Sequence, residues 1–161
     1  MENGTTCNTT ATIERHIMIA VDGSGNSKRA VLFVGDFFGC YPDFKVTLLH
    51  IILEPAFGYF KSREEQDEWK AKQLADSERM MADYKNILVD SGFAPEKVVT
   101  KIDSCQGPAV ADCILKEQDT MKCCTVVIGR RGISKKEEFI FGSTSNKIIH
   151  EARKCAVLVI E

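Results

Sequence analysis

The sequence predicts an α/β fold: an open, five-stranded, mostly parallel sheet with helices on both faces. Three observations predict it. Strand-like apolar runs alternate with helical segments from Arg15 to Ile160 in the order βαβαβαβαβ, and right-handed crossovers fold such an order into a parallel sheet. The run Val46-Thr-Leu-Leu-His-Ile-Ile52 is almost continuously apolar, as a strand covered on both faces must be. Glycine clusters follow the first and fourth strand-like runs, where open α/β sheets place their ligands.

Taken in order, the first strand is Arg15 to Val21, ended by the turn cluster Asp22-Gly-Ser-Gly-Asn26. Ser24 or Ser27 then caps a helix whose buried stripe carries Ala30, Val34 and Phe37. Phe44 to Leu53 is the second strand. Glu64 to Ser91 is a long charged helix with Leu74, Met81, Tyr84 and Leu88 on one stripe and Gly92 as its C′ residue. Lys97 to Asp103 is a short, β-branched third strand. Gly107-Pro108 opens the third helix, with proline at the tolerated first position. Thr125 to Ile128, Ser143 to Ala152 and Ala156 to Ile160 complete the series as strand, helix and strand. The one irregular insertion, Glu54 to Arg63, carries Phe57, Tyr59 and Phe60; a lid over a ligand, a partner contact and packing beneath the long helix all fit it.

At 161 residues the chain has the length of one domain with one core. Residues 1–12 read as a disordered polar tail and residues 13–161 as the domain. The content of 44% hydrophobic and 27% charged residues is that of a soluble globular protein, and a net charge of −2 gives no pull toward nucleic acid or anionic membrane. No apolar stretch approaches the ~18 residues of a membrane span, and the N-terminus lacks a basic segment followed by an apolar core. A cytoplasmic protein is expected. The seven cysteines are an odd number without a C-x-x-C pair, and several lie in apolar runs, so free thiols in a reducing compartment fit better than a disulfide framework. Cys123-Cys124 reads as core packing, because no second Cys/His pair has zinc spacing.

The chemistry concentrates at Gly129-Arg-Arg-Gly132, followed after nine residues by Gly142-Ser143. A buried strand that ends in glycines and leads to a small-residue helix start builds a phosphate site. Glycine lets the backbone approach an anion, and the helix start offers unpaired N–H groups and the positive end of its dipole. Asp22, at the end of the first strand, can accept hydrogen bonds from ribose hydroxyls or adenine, help hold a metal ion, or simply cap the turn that follows. Arg130, Arg131, Lys135 and Lys136 lie between the glycines and can offset phosphate charge; the lysines and the acids after them also fit a solvated loop. Other nucleotide signatures are lacking: there is no G-x-x-x-x-G-K-[ST], and Gly23-Ser-Gly25 lacks the third glycine of a dinucleotide fingerprint. His16, His50 and His150 have no nucleophile beside them, no G-x-S-x-G elbow exists, and His50 reads as a satisfied core histidine.

These residues resemble the universal stress protein family, whose signature G-x2-G-x9-G-[ST] is matched without a gap by Gly129 to Gly132, Ile133 to Phe141 and Gly142-Ser-Thr-Ser145. Val21-Asp22 is similar to the strand-end aspartate of its ATP-binding branch, Leu48-Leu-His-Ile51 to its second strand, and Gly107-Pro-Ala109 to the start of its third helix. The resemblance implies a Rossmann-like sheet of the adenine nucleotide alpha hydrolase type and an intracellular stress-response protein that binds adenine nucleotide. By it, Ala20, Val21, Asp22 and Ile51 surround adenine and ribose. Ile128, Gly129, Arg131 and Gly132 line the ribose-phosphate side, and Gly142, Ser143, Thr144 and Ser145 hold the phosphates. Arg131 and Ala156 depart from the family's more familiar residues at those positions. The implied ligand is ATP or AMP, with Mg2+ admissible beside ATP. No catalytic base is evident near the phosphates, so action by bound state is expected, with slow ATP hydrolysis or a nucleotide-stabilised interaction module as the alternatives. The apolar run Ala156 to Ile160 ends the chain but for Glu161, and an uncovered edge of that kind predicts a homodimer through this strand.

Overall fold

Sharp local signals start and stop the elements. The computed structural model describes residues 15–106, 110–131 and 142–161. Ser24, not Ser27, begins the first helix: its side chain accepts the Ser27 N–H at 3.1 Å, while the Ser27 hydroxyl donates to the Ser24 carbonyl at 3.0 Å. The long helix starts with a reciprocal cap. Ser62 Oγ accepts from Glu65 N–H at 3.1 Å, and the Glu65 carboxylate accepts from Lys61 N–H at 2.9 Å. Gly92 follows that helix at φ +109°, a left-handed turn that glycine adopts without strain.

The elements are β1 (Arg15–Val21), α1 (Gly25–Phe38), β2 (Phe44–Glu54), α2 (Arg63–Asp90), a short 3-10 turn (Pro95–Lys97), β3 (Val98–Gln106), α3 (Val110–Met121), β4 (Thr125–Gly129), α4 (Ser143–Glu151) and β5 (Ala156–Ile160). The predicted tail, the Gly107-Pro108 helix start and the loop Gly132 to Phe141 lie outside the described residues. The five strands form one sheet in the order β3-β2-β1-β4-β5, and every pairing is parallel. β1 is central: Ile17 is opposite Val46 of β2 on one side and Thr125 of β4 on the other.

Alternate residues of the strands feed two separate cores, as the period of two requires. Ile17, Ile19, Val46, Leu48 and Val127 pack with Ala30, Val31 and Val34 of α1 and with Met81, Tyr84 and Leu88 of α2. Met18, Leu49, Ile51, Val126 and Ile128 pack on the other face with Ile114 of α3 and Ile148 of α4.

Two positions on the predicted stripes are not buried. Phe37 is exposed and stacks on Phe33 with ring centroids 4.4 Å apart; the α1 stripe turns instead toward Gly35 and Phe38, where α1 meets the end of α2. Leu74 is exposed because the buried positions of α2 begin only at Ser77. β3 is also longer than its apolar run, since Ser104 to Gln106 continue the ladder with Ile52 to Glu54.

The ends of α1 and α2 meet backbone to backbone. A Cβ on Gly39 would collide with the Ser91 carbonyl and the Gly35 carbonyl, neither of which can move aside as a side chain end can. Gly39→Ala is therefore expected to cost roughly 1–3 kcal/mol, the range for overpacking, read as a lower urea midpoint with an unchanged slope. An unchanged midpoint would contradict this close approach.

Candidate functional site

The strand order leaves the site its place. β1 connects through α1 to β2 on one side, while β4 lies on its other side, so the crossovers leave in opposite directions and the carboxyl ends of β1 and β4 stay uncovered. A cavity of about 760 Å³ opens there, within the ~300–1,000 Å³ of small-molecule sites.

The structure gathers the predicted residues around that cavity. Ala20, Val21 and Asp22 come from the end of β1, Ile51 from β2, and Ile128 and Gly129 from β4. Arg131 follows β4, and Gly142, Ser143, Thr144 and Ser145 form the start of α4. Gly132 lies outside the described residues, as do Lys135 and Lys136.

Further lining comes from Ser24, Ser27, Leu49, His50, Ile52, Leu53, Gln73, Val110 and Ile114, which the sequence reading did not assign. Leu49 was within reach, lying on the same strand face as Ile51, and Val110 and Ile114 share a helix face at i, i+4. Gln73 carries no signal in the sequence, because only the placement of α2 beside the sheet brings it to the wall. His50 is satisfied, as predicted, but it is half-buried at the cavity wall and not in the core. Its Nδ1–H donates to the Val21 carbonyl at 2.8 Å, joining the ends of β2 and β1.

The cavity has two chemistries. Leu49, Ile51, Val110, Ile114 and Ile128 make one side apolar. The other side carries Asp22, Ser24, Arg131 and the start of α4. Asp22 holds the turn and lines the cavity at once: one carboxylate oxygen accepts the Ser24 N–H at 3.0 Å.

At α4, Gly142 is the N-cap and supplies no side-chain cap, and the first intrahelical bond runs from Asn146 N–H to the Gly142 carbonyl at 2.9 Å. The N–H groups of Ser143 to Ser145 thus have no carbonyl within the helix, which leaves donors and a positive dipole end at the wall. The Ser145 hydroxyl is already used. It donates to the Arg130 carbonyl at 2.8 Å and lies 3.0 Å from the Gly142 carbonyl, so what this residue offers a ligand is its backbone N–H.

The two arginines diverge. Arg130 turns to β5, with its N–H on the Ile160 carbonyl at 2.6 Å and its guanidinium paired with Glu161. Arg131 faces the cavity and is anchored by its carbonyl, which accepts from Asn26 Nδ2 at 3.0 Å.

The two described glycines of the motif play different parts. A Cβ on Gly129 would lie 2.8 Å from Asn26 Cβ and 2.9–3.0 Å from the Asn26 and Ser27 backbone, so this glycine lets β4 touch the start of α1. Among the described residues, a Cβ on Gly142 would meet nothing closer than 3.6 Å, and its φ of −66° is open to any residue. The described part of the fold does not require glycine at 142.

The universal stress protein family model matches residues 14–161. The chain belongs to this family. A comparison with curated proteins returns no match. Among solved structures, the chain is similar to hypothetical protein MJ0577, a structural-genomics test case for assigning biochemical function from structure. The two share 27% identity at a TM-score of 0.75, covering 91% of this chain and 95% of that one. Universal stress protein UspA from Lactobacillus plantarum aligns at 17% identity and a TM-score of 0.75, over 92% of this chain and 98% of the other. The universal stress protein from Archaeoglobus fulgidus, solved in complex with dAMP, aligns at 19% identity and a TM-score of 0.63, over 90% and 96%. Among the described residues, no helix is long and apolar enough to cross a membrane.

The contrast between the glycines can be measured without any ligand. Gly129→Ala is expected to lose roughly 1–3 kcal/mol of stability, while Gly142→Ala keeps the wild-type melting temperature or gains slightly. Equal losses in the two variants would contradict this division.

Proposed function

We propose that this universal stress protein binds an adenine nucleotide, ATP or AMP, in the cavity between β1 and β4, and acts through its bound state. One observation carries the reading: an apolar slot, a strand-end carboxylate and an uncapped helix start share one cavity of nucleotide size. A flat, weakly polar base suits the slot formed by Ala20, Val21, Ile51 and Ile128. The Asp22 carboxylate, at the cavity wall, suits ribose hydroxyls. Gly129 and Arg131 flank the ribose-phosphate link, and the N–H groups of Ser143, Thr144 and Ser145 beside Gly142 suit phosphate oxygens. The dAMP complex of the Archaeoglobus fulgidus relative supports the ligand class. With ATP bound, Asp22 would be the residue to help hold Mg2+, which would offset phosphate charge.

Binding without rapid turnover follows from the distribution of charge. Phosphoryl transfer needs several cations on the transferred group and a residue that positions the attacking oxygen. Among the described residues, Arg131 is the one lysine or arginine of the cavity wall, and its one carboxylate, Asp22, also holds the Ser24 N–H. A cytoplasmic place of action belongs to the same reading.

The first test is mass spectrometry of small molecules released from the purified, denatured protein, followed by calorimetry with ATP and AMP. Adenine nucleotide should be found. Asp22→Asn, which keeps an acceptor for Ser24 N–H but loses the charge, should weaken binding by about tenfold or more, the loss typical of a charge-assisted hydrogen bond. Absence of both released nucleotide and heat, or wild-type affinity in Gly142→Val, would falsify the site.

A homodimer through β5 completes the proposal. Among the described residues β5 pairs only with β4, and its residues Val157 to Ile160 are no more than half-buried although apolar. A second copy of the strand across a two-fold axis would pair that edge. Light scattering at tens of micromolar should give the mass of two chains, and Val157→Lys with Val159→Lys should shift it to monomer or aggregate. A wild-type monomer at that concentration overturns the dimer.

A further inference from the structure

We infer that the flank of α1 carrying Phe33 and Phe37 is an interaction surface for a second copy of this chain, closed against the partner's α1 above a pair of joined β5 edges. The inference rests on the β5 dimer proposed above and adds a helical contact to it.

Phe37 is 62% exposed, and its ring stacks on that of Phe33 with centroids 4.4 Å apart. The helix period places this stack. Gly35 abuts Ser91 and Leu88, so its side of α1 faces α2. Phe33 and Phe37 stand two residues before and after Gly35, about 200° round the helix, and therefore on the flank turned away from α2. α2 contacts β2 and β3, whereas α1 contacts β1, β4 and β5. The flank turned from α2 is thus the one toward the β5 edge, and Phe33 packs against the same core as Leu158 and Ile160 of β5.

The β5 edge alone is too small to hold two chains together. Its 5 residues give about 17 Å of strand, a strip far short of the roughly 800 Å² that each partner of a stable interface buries. The two-fold axis that pairs two β5 strands antiparallel within one sheet stands perpendicular to it, which brings both α1 helices to the same face. α1 contacts β4 and the strands on either side of it, so it is centred on β4. From there to the partner's β4 is three strand spacings, or about 14 Å. Helices in contact stand about 8–10 Å apart, and only large side chains fill the difference. Phe33 and Phe37 are large, apolar and on the flank that faces the axis. Across it they meet the partner's α1, and the flank becomes continuous with the Leu158 side of the joined strands.

The test is a dilution series of the full-length protein in sedimentation equilibrium, for wild type, Phe37→Ala, Phe37→Lys and Phe57→Lys. Phe37 is exposed in the single chain, so its variants should keep the wild-type circular dichroism spectrum. Phe57 is the control: it is fully exposed, but it follows β2, which β1 and β4 separate from β5. Phe37→Ala should raise the dimer dissociation constant about tenfold. Phe37→Lys should raise it about a hundredfold or more, because both copies then bury an unpaired ammonium. Phe57→Lys should leave it unchanged. A wild-type constant in both Phe37 variants overturns the α1 surface and leaves the β5 dimer standing. An equal rise in Phe57→Lys overturns it as well, since the effect would then be one of general surface charge. A wild-type monomer at tens of micromolar removes the β5 dimer and this surface together. Nucleotide enters none of these readouts, so the proposed ligand is untouched by their failure.

Discussion

The position of β1 governs the molecule. It is hydrogen-bonded to β2 on one side and β4 on the other, and each neighbour reaches it through a crossover that covers the opposite face of the sheet. Two consequences come from that single arrangement. The inner strands β1 and β4 are covered on both faces and are mostly apolar, and the chain diverges at their carboxyl ends, so no connection can fill the space between them. The cavity is thus a by-product of topology, and local residues decide only what it can hold.

Those residues divide the labour more finely than a motif suggests. Gly129 belongs to the fold, since it seats β4 against Asn26 and Ser27 of α1. Gly142 meets no such contact among the described residues. Asp22 and Ser145 each do a structural task while lining the cavity, one holding the turn after β1 and the other fastening α4 to the Arg130 carbonyl. A polar wall built in this way is already oriented before a ligand arrives, which lowers the ordering cost of binding.

How much of this was legible in the sequence depended on how local the cause was. The bounds of β1 and β5 could be read to the residue, because an apolar run stops at Asp22 in one case and begins after a charged segment in the other. The end of β3 could not: Ser104 to Gln106 are polar and are held in the sheet by the ladder to β2. Phe37 and Leu74 obey the helical period of the buried stripes, yet both are exposed, and the buried residues of α2 begin only at Ser77. At the cavity, residues next to glycine or at a strand end were visible as site candidates. His50 and Gln73 were not, since one is aimed by a bond to the Val21 carbonyl and the other is brought by the docking of a whole helix.

Arg130 makes the cavity and the sheet edge mechanically one unit. Its N–H is tied to the Ile160 carbonyl and its guanidinium to Glu161, while its own carbonyl receives Gly142 N–H and the Ser145 hydroxyl. One residue thus fastens the last strand and the first turn of α4, and neither can shift alone. A load applied to β5 arrives at the helix start without passing through the hydrophobic core. If a ligand steadies that turn and a neighbour grips that strand, each lowers the free energy of the other by the same amount, as linkage demands. The fold has placed its sheet edge and the start of α4 in series.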